Sequence, residues 1–432
     1  AVGLTKVTEE QRLTLLDLAC GKGGDIPKWR DNGIDTVVGI DCVSNNIDDA
    51  NDGACARYDF YKLQSEKTGN KVPKSYFLVG DAGKSILKGD SVTDTRYSSL
   101  QYDLWNTDIH SNTNFTNNKF DMVSVMFATH YFFKSEKILD NFVTNVADNL
   151  KPGGIFMGCC FDGNMVFDKL KDKPFNGYIE GIQNGSAIWR IKKKYKNTEF
   201  KNDRSSIGLT IDVLIYSIGQ IIEEYLVNFD VLCEKLEKLN IIPLDEDDIK
   251  KINWLPGDKS VGSFQTIYDN MASIPADSPM KKMIKNINLT TQEKELSFLF
   301  KYFLFKKKTT EQNTQEQLEK QIYDTSKLRK MLNLPKQNQL RKYLQDNTSY
   351  SHDVIDKAIE NAYKRYSNEI SELRKQQEEE KLKKQTKHIE VVDKPVDSDS
   401  ESKKTKKKIK IVKGKEIESQ SSKTSTKSRK KK

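Results

Sequence analysis

The stretch Leu15–Asp25, LLDLACGKGGD, decides the fold of this 432-residue chain. An apolar run that contains Asp17 ends in a glycine-rich turn, a pattern typical of a buried strand that passes into a helix. A second apolar run, TVVGID, ends at Asp41, 20 positions after Gly21. A strand, a glycine-rich turn, a helix and a second strand that ends in an acid predict a βαβ unit that binds a nucleoside.

Apolar runs recur after this unit, with helical stretches between them. Continuous runs of this length predict strands that are buried on both faces, and therefore a mostly parallel sheet flanked by helices. The first five predicted strands are Thr14–Leu18, Thr36–Ile40, Ser75–Val79, Phe120–Phe127 and Gly154–Cys160. A hairpin over 207–229 and a closing strand Phe298–Phe305 are expected to add antiparallel strands at the edge of this sheet. The expected fold class is therefore α/β, with about seven strands in one sheet.

Polar and helical regions interrupt and follow the predicted sheet. Residues 82–119 are rich in Asn, Ser, Asp and Thr and are expected to form a long loop or insertion. Residues 311–345 are predicted to be helical, and apolar residues spaced by three and four over 355–373 predict an amphipathic helix, compatible with a coiled coil. The expected divisions are an α/β domain over 1–308, a helical extension over 309–385 and a basic disordered tail over 386–432.

The net charge of +9 is concentrated at the C-terminus, where residues 401–432 carry 14 Lys or Arg and 3 Asp or Glu. Such a tail suits an anionic polymer, and a solvated appendage is the alternative interpretation. Six scattered cysteines without a C-x-x-C pair, together with only four histidines, predict reduced thiols and no structural zinc. No apolar run reaches the ~18 residues of a membrane span and no signal peptide is visible, so no membrane partner is expected.

The glycine-rich turn departs from the dinucleotide fingerprint. Read from Gly21, the G-x-G-x-x-G pattern requires a third glycine where the chain has Ile26. This departure counts against NAD and favours a nucleoside that has no pyrophosphate. S-adenosylmethionine (SAM) is such a nucleoside, because it carries an amino acid group and a sulfonium but no phosphate.

Four acidic residues lie in or just after the predicted strands and turn. Asp17 and Asp25 are expected at the cationic amino acid end of SAM. Asp41 is expected at the ribose diol, and Asp81 at the adenine amino group. Four carboxylates suit a cationic ligand electrostatically and would repel a pyrophosphate.

Three motifs resemble the mRNA cap (guanine-N7) methyltransferase family, especially the methyltransferase domains in capping enzymes of large DNA viruses. The run DLACGKGGDIPKWRDNGI is similar to the family's SAM-binding signature, in which a lysine stands between glycines. The runs FDMVSVMFATHYFFKS and IIEEYLVNF are similar to two later family segments. The resemblance covers roughly residues 12–306 and implies a Rossmann-like class I SAM-dependent methyltransferase fold.

The resemblance also implies roles for individual residues. It places the cap's phosphates near one lysine and its guanine in a pocket of aromatic and acidic side chains. The alternative interpretation gives these residues purely structural roles. Aromatic side chains would pack in the core, charged ones would lie on the surface, and the histidine would be buried with its hydrogen bonds made. The implied SAM-binding residues are Asp17, Gly21, Asp25, Asp41 and Asp81, and the implied cap-binding residues are Lys22, Phe127, His130, Tyr131, Glu224 and Phe300.

The chain departs from the family pattern at several positions. Ala19 replaces the usual glycine, which is expected to be a small change. Met126 stands where the family has Gln, so one polar contact that the family makes near SAM is expected to change. The family supplies a Tyr to the cap site from its final strand, where the best alignment puts Phe300 with Tyr302 nearby. A SAM-binding Lys lies about a helix before the first strand in the family, so a domain that begins at Ala1 is expected to be incomplete at its N-terminus.

The resemblance implies methyl transfer from SAM to guanine N7 of capped mRNA. Because N7 carries a free lone pair at neutral pH, we expect orientation catalysis without a general base or other catalytic residue. Two alternatives stay open: a methyltransferase that acts on another substrate, such as a different RNA, and an inactive methyltransferase-fold adapter. The expected partners are capped mRNA and fused or associated triphosphatase and guanylyltransferase domains. The expected location is intracellular, in host cytoplasm, a virus factory or the nucleus.

Overall fold

The structure is a computed structural model that describes residues 13–106, 119–252, 259–274 and 287–390. Its strands are β1 (Leu13–Leu18), β2 (Ile34–Asp41), β3 (Lys74–Val79), β4 (Phe120–Met126), β5 (Leu150–Phe161), β6 (Tyr178–Gln183), β7 (Ser186–Lys193), β8 (Thr210–Ile215), β9 (Gln220–Tyr225), β10 (Ile241–Pro243), β11 (Val261–Ser263) and β12 (Phe300–Lys307). Its helices are α1 (Ile26–Asp31), α2 (Ser44–Asp48), α3 (Ala54–Thr68), α4 (Ser98–Asn106), α5 (Thr129–Phe132), α6 (Glu136–Asn149), α7 (Gly163–Lys169), α8 (Phe229–Glu237), α9 (Glu246–Ile252), α10 (Phe264–Asn270), α11 (Thr291–Ser297), α12 (Thr310–Asp324), α13 (Ser326–Arg329), α14 (Gln337–Asn347) and α15 (His352–Glu390).

The central sheet has the strand order β10-β12-β5-β4-β1-β2-β3, and β11 pairs with β12 outside this path. Strands β1 to β5 run parallel, whereas β10, β11 and β12 are antiparallel additions. The five predicted parallel strands and the closing strand are confirmed. The predicted number of seven matches the main path, and β11 makes an eighth strand.

Helices cover both faces of the parallel strands, which explains their unbroken apolar sequences. In β1, Leu16 and Leu18 belong to the hydrophobic core on one face, whereas Leu15 belongs to the core on the other. Successive side chains of a strand point to opposite faces, so both alternating sets must be apolar when both faces are buried. The carboxyl ends of β1, β2, β3 and β4 therefore meet at one edge, where ligands bind in open α/β sheets.

The predicted hairpin over 207–229 exists as β8 and β9, but its predicted place at the edge of the central sheet is wrong. It belongs to a second, antiparallel sheet of order β6-β7-β8-β9. Strands β6 and β7 were not predicted, although the apolar and charged residues that alternate near the end of β7, SAIWRIKK, are typical of a half-buried strand. The inward side of β7 carries Trp189, Ile191 and the buried Lys193. The Lys193 ammonium donates hydrogen bonds to three backbone carbonyls after α7, so its burial is compensated.

The polar segment 82–119, predicted as a loop, contains helix α4. Two side chains of α4 attach this helix to the rest of the domain. Trp105 is buried and donates a hydrogen bond from Nε1 to Asn149 Oδ1 at 2.7 Å. Gln101 is also buried and donates to the Ile86 carbonyl. Residues 107–118 of this predicted loop lie outside the described residues.

The helical extension is confirmed as helical but not as one helix over 311–345. It breaks between α12 and α13 and again before α14, and the contacts of the chain divide into two units between Tyr363 and Lys364. In α15 the predicted apolar stripe is buried at Ile355 and Ile359, whereas Leu373 is half-exposed. The helix continues to Glu390, five residues into the predicted tail. Residues 391–432 lie outside the described residues, and the division into domains stays a prediction.

No helix in the described part of the chain is both long enough and apolar enough to cross a bilayer.

Candidate active site

The turn after β1 adopts a left-handed backbone at three positions. Ala19, Gly21 and Gly23 have φ angles of 66°, 56° and 68°. Left-handed conformations favour glycine, so Ala19 is strained where a glycine would not be. A Cβ built on Gly23 would lie 3.0 Å from the Ile26 Cδ1, whereas one on Gly21 would meet nothing within 4 Å. The turn therefore packs on one side and opens onto free space at Gly21.

Asp41, at the end of β2, holds this turn in place. Its Oδ2 accepts a hydrogen bond from the Gly21 backbone N–H at 2.8 Å. Its Oδ1 accepts from the Val43 backbone N–H at 3.0 Å and from the Asn46 amide at 2.9 Å. The carboxylate is buried, and these donors stabilise its charge.

Asp17 lies deeper, at the end of β1. Its Oδ1 accepts a hydrogen bond from Ser124 Oγ of the neighbouring β4 at 2.8 Å. Burial raises the pKa of Asp17 to about 7, and the nearby Asp25 and Asp41 add to this effect. A cationic ligand group in this region would favour the ionised form and lower that pKa. Asp25 itself precedes α1 and forms an ion pair with Lys28.

A cavity of about 370 Å³ lies at the carboxyl ends of β2 and β3. Asp41 and Asp81 line it, and Asp81 is held by the Gly83 backbone N–H, which donates to its Oδ1 at 2.8 Å. The other wall carries Tyr131, Glu223 and Tyr225. Its concave shape and its three acidic side chains, against one lysine, Lys134, fit a cationic nucleoside such as SAM.

The second predicted pocket is built where α5 meets β9. His130 Nδ1 lies 3.6 Å from Glu224 Oε2, and both side chains are buried. Burial lowers the pKa of His130 to about 3 and raises the pKa of Glu224 to about 8. The Tyr131 side chain is half-exposed, and its ring centroid lies 4.1 Å from that of His130. The structure therefore brings together these three predicted residues.

Phe127 and Phe300 form a separate aromatic group with a residue that the sequence analysis missed. Phe127 has a φ of 57° and is 51% exposed, which is unusual for a bulky side chain. Its ring centroid lies 5.3 Å from that of Phe300 and 6.3 Å from that of Phe264. Phe264 begins the short helix α10 directly after the three-residue strand β11, and no motif in the sequence marks it.

The comparisons with known proteins agree with this geometry. The model of the mRNA (guanine-N(7))-methyltransferase domain matches residues 4–308. The chain belongs to this family. It is 31% identical over 241 residues to a probable mRNA-capping enzyme of Acanthamoeba polyphaga mimivirus, a match that covers 54% of this chain and 19% of that protein.

Cellular family members are also similar. The mRNA cap guanine-N(7) methyltransferase 1 of Arabidopsis thaliana is 27% identical over 231 residues, which cover 52% of each protein. The mRNA cap guanine-N(7) methyltransferase of Aspergillus clavatus is 26% identical over 267 residues, 54% of this chain and 46% of that protein. The chain thus spans about half the length of these two relatives and about a fifth of the viral one.

The structure shows the contacts or backbone conformation at each position where the chain departs from the guanine-N7 methyltransferase pattern. Met126 lies beside Cys159, with its sulfur 3.9 Å from that thiol. Tyr302 is buried and donates to the Lys259 carbonyl at 3.3 Å, so Phe300, rather than Tyr302, faces the Phe127 ring. Ala19 is not the small change that was expected, because its φ is left-handed.

Lys22, which the resemblance places near the cap's phosphates, forms an ion pair with Asp52 at 2.6 Å. Both side chains are substantially exposed, so this pair can exchange for another anion at low cost. Within the described ranges, no group of three or more His, Cys, Asp or Glu could hold a metal ion.

Proposed function

We propose that this domain transfers a methyl group from SAM to N7 of the terminal guanosine of capped mRNA, which yields the cap 0 structure. One observation carries the proposal: the buried His130–Glu224 pair adjoins a cavity lined by Asp41 and Asp81. A site for a base with hydrogen-bond donors therefore lies next to a site for a cationic nucleoside. Family membership supports the same assignment.

The residues at the strand ends would hold SAM. We assign Asp17 and Asp25 to its amino acid end, Gly21 to the turn that approaches it, Asp41 to the ribose and Asp81 to the adenine. SAM, when bound, supplies an electrophilic methyl group on its sulfonium. The open space at Gly21 leaves the backbone accessible to the ligand, and the carboxylates balance the ligand's positive charge.

Glu224 would recognise the guanine. Its buried carboxyl is protonated at neutral pH in the absence of a ligand, because its pKa is raised to about 8. The N–H groups on the Watson–Crick edge of guanine would replace that proton as donors and favour the carboxylate. The neutral His130 would offer its ring nitrogens to the same base. Its Nε2 is buried and has no hydrogen-bond partner among the described residues.

The aromatic side chains would favour the product. Methylation at N7 makes the guanine ring cationic, and the faces of Phe127 and Tyr131 attract a cation more than a neutral ring. The ionised Glu224 acts in the same direction, since charge that develops on the base lies next to a carboxylate. These interactions strengthen along the reaction and so accelerate it.

Orientation supplies the remaining catalysis. N7 has a free lone pair, so no side chain must remove a proton before attack. Holding two ligands in reacting geometry contributes up to roughly 7–11 kcal/mol. Lys22 would fix the triphosphate bridge after exchanging Asp52 for phosphate oxygens.

Capped mRNA is the proposed partner, and the probable mRNA-capping enzyme of the mimivirus leads us to propose that triphosphatase and guanylyltransferase domains accompany this domain. We propose an intracellular location, in the host cytoplasm, a virus factory or the nucleus.

The test compares Glu224→Ala with wild type on GpppA-capped RNA. We expect turnover to fall at least a hundredfold, while the affinity for S-adenosylhomocysteine, measured by calorimetry, changes less than threefold. Glu180→Ala is the matched control, because Glu180 lies on β6 of the same second sheet and pairs with Arg190 on its surface. Unchanged turnover of Glu224→Ala, or equal turnover of wild type on uncapped RNA, would reject the assignment.

A further inference from the structure

Two short elements separate the acid-lined cavity from the His130–Glu224 pair. Strand β9 and helix α5 contact one another, and each contributes side chains to both places. In α5, His130 faces Glu224, whereas its neighbour Tyr131 lines the cavity. The two proposed ligands would therefore contact the same two elements.

The side chains of strand β9 are likewise divided between the cavity and the His130–Glu224 pair. Glu224 is buried on the inner face of the second sheet, opposite Ile211 of β8. Glu223 and Tyr225 flank it in sequence, and both line the cavity with Asp41. This follows from the alternation of side chains along a strand, which sends neighbours to opposite faces.

The two cavity-facing residues of β9 are joined to one another. Tyr225 donates a hydrogen bond from its hydroxyl to Glu223 Oε1 at 2.8 Å. The pair makes a continuous polar surface along the strand, facing the carboxyl ends of β2 and β3. A ligand that fills the cavity would contact this surface and, through it, the backbone that carries Glu224.

Strand β9 lies at the edge of its sheet, where α5 contacts it and its Tyr225 packs against the hydrophobic core. It ends the strand order β6-β7-β8-β9, so only β8 forms a ladder with it among the described strands. Edge elements with few packed neighbours are the parts of a fold that a bound ligand orders most readily. A ligand in the cavity thus adds contacts to the face of β9 that carries Glu223 and Tyr225.

We propose that Tyr225 is a positioning residue that, together with Glu223, couples the two ligand sites, so that a filled cavity holds β9 where Glu224 can bind guanine. This inference rests on the proposed function. It requires that cofactor and cap bind with positive cooperativity, and that each increases the affinity for the other by the same factor.

The experiment measures the affinity for GpppA by calorimetry, with and without saturating S-adenosylhomocysteine. We expect wild type to bind GpppA about tenfold more tightly when the cavity is filled, within the range of typical coupling. Tyr225→Phe and Glu223→Ala remove the hydrogen bond and should reduce this factor to less than twofold. Their affinity for GpppA alone should stay within about twofold of wild type.

Two further variants separate positioning from a general structural effect. Glu223→Gln keeps an acceptor oxygen for the Tyr225 hydroxyl, so it should retain the coupling that Glu223→Ala loses. Tyr216→Phe removes a hydroxyl from an exposed tyrosine just after β8 and should leave the coupling unchanged.

The outcomes distinguish this inference from the proposed function. Independent binding of both ligands to wild type, or full coupling in Tyr225→Phe, would overturn the inference and leave the proposed function standing. Failure of wild type to bind either ligand would reject the proposed function and the inference together. If Glu223→Gln and Glu223→Ala both lose the coupling, the carboxylate charge rather than the hydrogen bond is responsible for it. That outcome would also overturn the inference.

Discussion

His130 Nδ1 and Glu224 Oε2 lie 3.6 Å apart, with 5% and 10% of their side chains exposed. Burial lowers the pKa of His130 to about 3 and raises that of Glu224 to about 8. At neutral pH without a ligand, the imidazole is therefore unprotonated and the carboxyl mostly protonated, so the contact joins two neutral groups. The folded protein therefore keeps the Glu224 carboxyl neutral at the position where a guanine is proposed to bind.

This pair makes the stability of the fold depend on pH. Because the folded-state pKa of Glu224 is raised from 4.5 to about 8, the folded protein holds a proton that the unfolded chain has lost. Between about pH 6.5 and about 8, Glu224 should therefore lower stability as pH rises, by at most about 1.4 kcal/mol per pH unit. Urea unfolding at a series of pH values measures this slope.

Glu224→Gln provides the control for this measurement, because the amide does not titrate. Its stability should fall less steeply than that of wild type over the same interval, because among the described carboxyls only Asp17, whose pKa is raised to about 7, still loses a folded-state proton there. His130 acts in the opposite direction and mainly at lower pH, because its lowered pKa makes stability fall as pH decreases from about 6.5 toward about 3. An identical slope in wild type and Glu224→Gln would contradict the assignment.

Gly21 and Gly23 should respond differently to alanine, although both have a left-handed backbone. Gly21→Ala should cost about 1–2 kcal/mol of stability from backbone strain alone, since its new Cβ meets no atom within 4 Å. That methyl group would occupy space proposed for SAM, so S-adenosylhomocysteine affinity should fall tenfold or more. Calorimetry and urea unfolding measure the two effects.

Gly23→Ala is the matched variant. Its Cβ would lie 3.0 Å from Ile26 Cδ1 and 3.3 Å from Ala54 Cα, so it should destabilise the fold more than Gly21→Ala does. If Gly21→Ala binds S-adenosylhomocysteine as wild type does, the ligand does not approach this turn.

Ala19→Gly should stabilise the protein. The φ of Ala19 is 66°, a conformation that an L-residue adopts at a cost and glycine adopts freely. The gain should reach about 1 kcal/mol, less the greater entropy that glycine has in the unfolded chain. Thermal unfolding checks it. Ala128→Gly, at a buried position with a φ of −134°, should instead destabilise the fold.

The sequence predicted those parts of the site that depend on local chemistry. The turn at Gly21 needs a left-handed backbone, and Asp41 ends a strand after the apolar run Val37–Ile40, so both could be recognised from the chain. The roles of Tyr225 and Phe264 could not be predicted in this way. They depend on how the second sheet and α10 lie against the parallel strands, which no local pattern in the sequence determines. Tertiary placement, rather than propensity, decides such positions.

Asp52→Asn should strengthen binding of the capped end. Asp52 holds Lys22 in an exposed ion pair at 2.6 Å, and that pair must break before Lys22 reaches a phosphate. Exposed pairs contribute about 0.2–1 kcal/mol, so KM for GpppA-RNA should fall by up to about fivefold with kcat unchanged. Lys22→Ala should raise KM. Asp31→Asn, at another exposed pair in α1, is the control. Equal KM in Asp52→Asn and wild type would place Lys22 away from the phosphates.

Deleting residues 391–432 should flatten the salt dependence of binding to capped RNA. The deleted segment follows the last described helix residue, Glu390, and includes 14 Lys or Arg against 3 acidic residues over 401–432. Each phosphate contact that the tail provides contributes about 0.7 to the slope of log affinity against log salt for a single strand. Titrations of a capped 20-nucleotide RNA at several salt concentrations measure this slope. The affinity for the GpppA dinucleotide should not change, because it offers no RNA chain for the tail to bind. A slope equal to that of the full chain would show that the tail does not bind the RNA substrate.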